Sequence, residues 1–84
     1  LLIVDDSATN RKILMLQAQS WGMLPRAATS GAEALKWLQR GDPFDLAVLD
    51  MQMPQMDGLS LATTIHQHSN YRKLPLVILT SMGK

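Results

Sequence analysis

Residues 44–58 read Phe44-Asp45-Leu46-Ala47-Val48-Leu49-Asp50-Met51-Gln52-Met53-Pro54-Gln55-Met56-Asp57-Gly58. The first part, through Leu49, is largely apolar and stops at an aspartate. The second part holds a proline and the turn pair Asp57-Gly58, which mark a loop. A short dry strand that ends in a polar residue and opens onto a loop recurs along the chain. Leu1-Leu2-Ile3-Val4 runs into Asp5-Asp6-Ser7, and Leu76-Val77-Ile78-Leu79, entered through Pro75, leaves through Thr80-Ser81.

Helical periodicity fills the gaps between these runs. Thr9 to Ser20 carries Leu14, Ala18 and Trp21 at helical spacing, widened by Ile13, and Gly22 follows where a left-handed C-cap favours glycine. Ser30-Gly31-Ala32-Glu33 is a capping box: the serine hydroxyl accepts from the Glu33 amide while the glutamate reaches back. The helix it opens places Ala34, Leu35 and Leu38 on one face and ends at Gly41. Leu59 to about His68 forms a third helix with Leu61, Ala62 and Ile65 inward. Met23 to Ala28 reads as a weaker strand that contains Pro25 and Arg26.

Strands alternating with helices predict an α/β fold with a parallel sheet and helical crossovers. Strands buried on both faces read as continuously apolar. The strands at Leu1, Leu46 and Leu76 do so. Proline cannot donate to a ladder, so the Met23 strand is expected at an edge. The predicted order is 2-1-3-4, the opening of the flavodoxin-like arrangement with three layers, α/β/α. A fourth strand dry on both faces is a poor edge. A fifth strand, the last helices of a longer domain, or a second chain is therefore expected to cover it. On this reading residues 1–84 are one domain, incomplete at the C-terminus.

Composition narrows the function. Eight Lys and Arg against seven Asp and Glu give a net charge of +1, which excludes nucleic-acid binding by bulk charge. With no cysteine there is no disulfide, thiolate zinc site or cysteine nucleophile. The apolar runs are far shorter than the roughly 20 residues that span a bilayer, so no membrane contact is expected through this domain.

Three of the seven acidic residues, Asp5, Asp6 and Asp50, stand at the ends of strands 1 and 3. In the predicted order these strands are neighbours, and their connections leave to opposite faces. That makes the crevice where such sheets bind ligands. Carboxylates held together repel one another and favour a cation. Oxygen-only ligands suit Mg2+ or Mn2+. Singly, such aspartates are ordinary turn formers. Thr80 and Ser81 open onto the same end, where a hydroxyl can meet a bound anion.

Asp5-Asp6, Asn10-Arg11, the run from Asp50 to Gly58 and Thr80-Ser81 together resemble the receiver domain of two-component response regulators, of the chemotaxis-regulator type. The resemblance implies that Asp50 accepts a phosphoryl group from a phosphohistidine. It implies Mg2+ held by Asp6, Asp50 and the backbone carbonyl of Gln52, with Asp5 helping through water. Thr80 becomes the switch hydroxyl, and the Ser81 amide faces the phosphoryl oxygens. The implied partners are a histidine kinase, the parent's own kinase domain or a histidine phosphotransfer domain, in the cytoplasm. Residues 74–83 resemble receivers of hybrid sensor histidine kinases more than stand-alone regulators. The family also uses a lysine after a fifth strand. Lys84, four residues past Thr80, is a weak substitute because the family has a mobile loop there.

A receiver transfers a phosphoryl group to itself and loses it by self-dephosphorylation, without turnover on a separate substrate. Two alternatives stay open. One is a receiver-like interaction module that is never phosphorylated. The other is an aspartate-nucleophile phosphatase, whose motif sets nucleophile and acid two apart, where Asp5 and Asp6 are adjacent. Met51, Met53 and Met56 read as loop packing, His66 and His68 as solvated helix positions, and Trp21 and Trp37 as packing residues.

Overall fold

The computed structural model describes residues 1–68 and 71–79. Four strands, β1 (Leu2–Val4), β2 (Arg26–Ala28), β3 (Ala47–Asp50) and β4 (Leu76–Leu79), alternate with helices α1 (Ala8–Ser20), α2 (Gly31–Gln39) and α3 (Gly58–Gln67). The strands form one parallel sheet in the order β2-β1-β3-β4, as the strand textures predict.

Alternation along each strand sorts side chains to the two faces. Leu2, Val4, Ala47 and Leu49 face the main core, where α2 and α3 cover them with Ala34, Leu38, Leu61 and Ile65. Leu61 and Ile65 are fully buried. Burying a side chain of that size stabilises the fold by about 1.5–3 kcal/mol. Ile3, Val48, Val77 and Leu79 line the opposite face with Leu14 and Ala18 of α1.

Side-chain caps start all three helices, consistent with the orphan amides of a first turn. Ser7 accepts from the Asn10 amide at 3.3 Å, Ser30 from Glu33 at 3.1 Å and Asp57 from Ser60 at 2.8 Å. The Glu33 carboxylate reaches back one residue further than a capping box requires, accepting from the Thr29 amide at 2.7 Å. Gly22 and Gly41 follow α1 and α2 with φ of 79° and 88°, where a side chain would strain the backbone.

Several expectations need correction. Pro25 precedes β2 instead of lying inside it, and β2 has only three residues. It is still an edge, pairing only with β1. Strand β4 is not dry on both faces: Val77 and Leu79 are 44% and 40% exposed, on the face that α1 covers only in part. An all-apolar run cannot reveal which of its faces a helix reaches. In α1 the stripe narrows to Leu14 and Ala18, while Ile13 and Trp21 are exposed. The Asp57-Gly58 pair begins α3 as its cap and first residue, so it is a helix start and not a turn.

Candidate functional site

Strands β1 and β3 are adjacent and parallel, with Val4 opposite Leu49 in register. The residues that follow each strand or end it therefore share one end of the sheet. Asp5, Asp6 and Asp50 meet there, with one carboxylate oxygen from each lying within 4.8 Å of the others. Asp5 is buried, Asp50 half-buried and Asp6 exposed.

The main chain holds these groups. The Asp5 amide donates to the Ala28 carbonyl at 3.2 Å, and the Ser7 amide donates to Asp5 Oδ1 at 2.8 Å. Arg11 reaches back from α1 to donate to the Asp5 carbonyl at 2.9 Å. On the other strand the Gln52 amide donates to Asp50 Oδ1 at 3.2 Å. Burial pushes the Asp50 carboxyl above its ordinary value, and the charges of Asp5 and Asp6 push the same way, against the Gln52 amide. A site that disfavours its own negative charge is stabilised by a cation. Three carboxylates with no sulfur or imidazole form a hard-oxygen donor set, which fits Mg2+ or Mn2+ rather than a thiophilic metal.

Of the residues expected at the site, Asp5, Asp6 and Asp50 are brought together and Gln52 sits beside them. Thr80, Ser81 and Lys84 lie outside the described residues. Sequence reasoning missed two supports. One is Gly58, whose fit against Asp50 depends on distances between elements. The other is the bond from Arg11, whose signal was only its place in the Asn10-Arg11 pair. The methionines pack as expected, with Met53 and Met56 against the core. Trp37 packs likewise and lies under the Arg26 guanidinium, 4.2 Å from ring centroid to Cζ. His66 is exposed on α3, as expected, with its Nε2 2.9 Å from the Leu74 carbonyl.

The family model described as "Response regulator receiver domain" matches residues 1–84. This chain belongs to the response regulator receiver family. The receiver is 37% identical over 81 residues to the sensor histidine kinase CheAY of Helicobacter pylori, covering 95% of this chain and 10% of the kinase. It is 36% identical over 80 residues to the hybrid signal transduction histidine kinase L of Dictyostelium discoideum, covering 93% of this chain and 5% of that one. In structure it resembles the chemotaxis protein CheY4 of Vibrio cholerae with a TM-score of 0.90 and 31% identity, across 99% of this chain and 68% of that protein. The receiver thus spans only a small part of these kinase relatives. Among its described residues, no helix is long and apolar enough to cross a membrane.

Proposed function

We propose that this receiver accepts a phosphoryl group on Asp50 from a phosphohistidine of a histidine kinase or phosphotransfer domain. The observation that carries the reading is the meeting of Asp5, Asp6 and Asp50 carboxylates within 4.8 Å at the ends of adjacent parallel strands. Asp50 is the nucleophile because it ends the central strand half-buried, its carboxylate oriented by the Gln52 amide. One of its oxygens forms a bond to phosphorus as the phosphorus–nitrogen bond breaks. The imidazole leaves with the bonding pair and takes up a proton. Such transfer depends on positioning and charge neutralisation more than on covalent help.

Asp5, Asp6, Asp50 and the Gln52 carbonyl are the proposed ligands of Mg2+ or Mn2+. Bound there, the cation supplies neutralisation of the transferring group's charge. Leu79, the register partner of Asp50, is the residue before Thr80. The family resemblance supports a reading in which the Thr80 hydroxyl and the Ser81 amide meet the phosphoryl oxygens. The added charge of an acyl phosphate would bias the β4 side of the sheet. The likeness to sensor and hybrid kinases supports a parent of that kind, with its own phosphohistidine as a donor and a cytoplasmic location.

The test is incubation with acetyl phosphate and Mg2+, followed by intact-mass measurement. One phosphoryl group per chain, not gained when a chelator replaces Mg2+ and absent from Asp50→Asn, is the expected result. Repeated turnover of phosphate esters would favour a phosphatase. No labelling under conditions that label other receivers would leave only an interaction module.

A further inference from the structure

The Arg11 side chain does something unusual for a cation beside three carboxylates. Its Nη1 donates to the main-chain carbonyl of Asp5 at 2.9 Å, and among the described residues it makes no ion pair within 4.0 Å. The bond is part-buried and spans six positions, from the first turns of α1 back to the end of β1. Asp5 is thereby held at every polar group. Ala28 takes its amide, Ser7 takes its carboxylate, and Arg11 takes its carbonyl.

That carbonyl belongs to the peptide linking Asp5 to Asp6. Fixing it fixes the peptide plane, and with it the position of the Asp6 Cα from which that exposed side chain leaves the backbone. The carboxylate oxygens stay unpaired by arginine, so a metal ion need not displace a guanidinium. We infer that Arg11 is a positioning residue for the cation site, setting its affinity through the Asp5–Asp6 peptide. The inference rests on the reading of the three carboxylates as a divalent-cation site.

The sign of a mutational effect separates this role from a charge effect. A positive charge near a cation site opposes binding, so its loss alone should tighten the metal. Loss of a group that orients the ligands should loosen it, by roughly tenfold or more. The probe is Mn2+, titrated into the protein while the spin-resonance signal of free Mn2+ is followed. The unaltered protein, Arg11→Ala and Arg11→Lys are compared, with thermal unfolding in chelator as the folding control. Arg11→Ala is expected to bind Mn2+ about tenfold more weakly while still folded. Arg11→Lys, which keeps a donor of shorter span, is expected to fall between the two. Should Arg11→Ala not fold, weaker binding by folded Arg11→Lys still supports the role. Equal or tighter binding by the folded variants would overturn it while leaving the cation site intact. No Mn2+ binding by the unaltered protein would overturn the cation-site reading and this role with it.

Discussion

Gly58 lies directly against the backbone of Asp50. A Cβ at Gly58 would come within 2.7 Å of the Asp50 carbonyl oxygen and 3.1 Å of Met51 Cα. The Gly58 amide meanwhile donates to the Met51 carbonyl at 3.1 Å. The start of α3 is thus clasped to the end of β3, and only a residue without a side chain permits it.

Gly58→Ala should therefore disturb both stability and the site. The contacts are with backbone, which cannot move aside as a flexible side chain does. Overpacking of this kind costs roughly 1–3 kcal/mol. Urea denaturation should show that loss, and Mn2+ affinity should fall with it. An unchanged midpoint would mean that the two elements slide apart freely.

Asp50→Asn should stabilise the protein in divalent-free buffer. The folded Asp50 carboxyl titrates above its ordinary value, chiefly because it is buried and then because Asp5 and Asp6 are charged. The folded state thus binds the proton more tightly than the unfolded state does. Stability is lost as pH rises from the ordinary value of 3.8 through the raised one. The advantage of Asp50→Asn should be full at neutral pH and vanish below the ordinary value. Adding Mg2+ should raise the melting temperature of the parent more than that of the variant. A variant less stable than the parent at neutral pH without metal would contradict this.

Asp42 behaves with the opposite sign. Its carboxylate accepts from Arg26 Nη1 at 2.9 Å and from Arg40 Nη2 at 2.5 Å. Arg40 first, then Arg26, lower its pKa to about 2. The stabilisation is present above the ordinary value of 3.8 and is lost as pH falls toward about 2. Asp42→Asn should be less stable than the parent at neutral pH and converge with it across that window. Urea midpoints from neutral to acid pH measure this directly. A gap that does not close in acid would show that the pair contributes by something other than charge.

Tyr71→Phe tests the same corner from the other side. The Tyr71 hydroxyl donates to the Asp42 carbonyl at 2.8 Å, in a ring that is 8% exposed. Its removal leaves a part-buried carbonyl short of a partner, at a cost of about 1 kcal/mol. Chemical denaturation should find that cost with no change in Mn2+ affinity, because the corner lies at the opposite end of the sheet from Asp50. Loss of metal binding in this variant would show that the two ends are coupled.

Much of this arrangement was legible in the sequence because dry strands are local signals. The runs at Leu1 and Leu46 gave the sheet its two central strands and the run at Leu76 the strand beside them, and the aspartates after Val4 and Leu49 gave the site its end. The capping serine at position 30 could be read from Glu33 three residues later. Contacts between distant elements were not legible. Nothing near Arg26 in sequence announces Trp37 and Phe44 as its partners, with guanidinium Cζ 4.2 Å and 5.5 Å from their ring centroids. The close fit of Gly58 and the bond from Arg11 to Asp5 likewise depend on how elements dock. The exposed positions of Val77, Leu79 and Trp21 were hidden because apolar character does not say which face is covered. Thr80 and Ser81 rest on the family pattern alone.

The central claim is that the phosphoryl group resides on the Asp50 carboxylate. Borohydride reduces an acyl phosphate to the alcohol, so a phosphorylated aspartate is trapped as homoserine. The protein, labelled by acetyl phosphate with Mg2+ and then reduced, should yield homoserine at position 50 in peptide mass mapping. Homoserine at position 5 or 6 instead, or no reduction product in a labelled protein, would contradict the account.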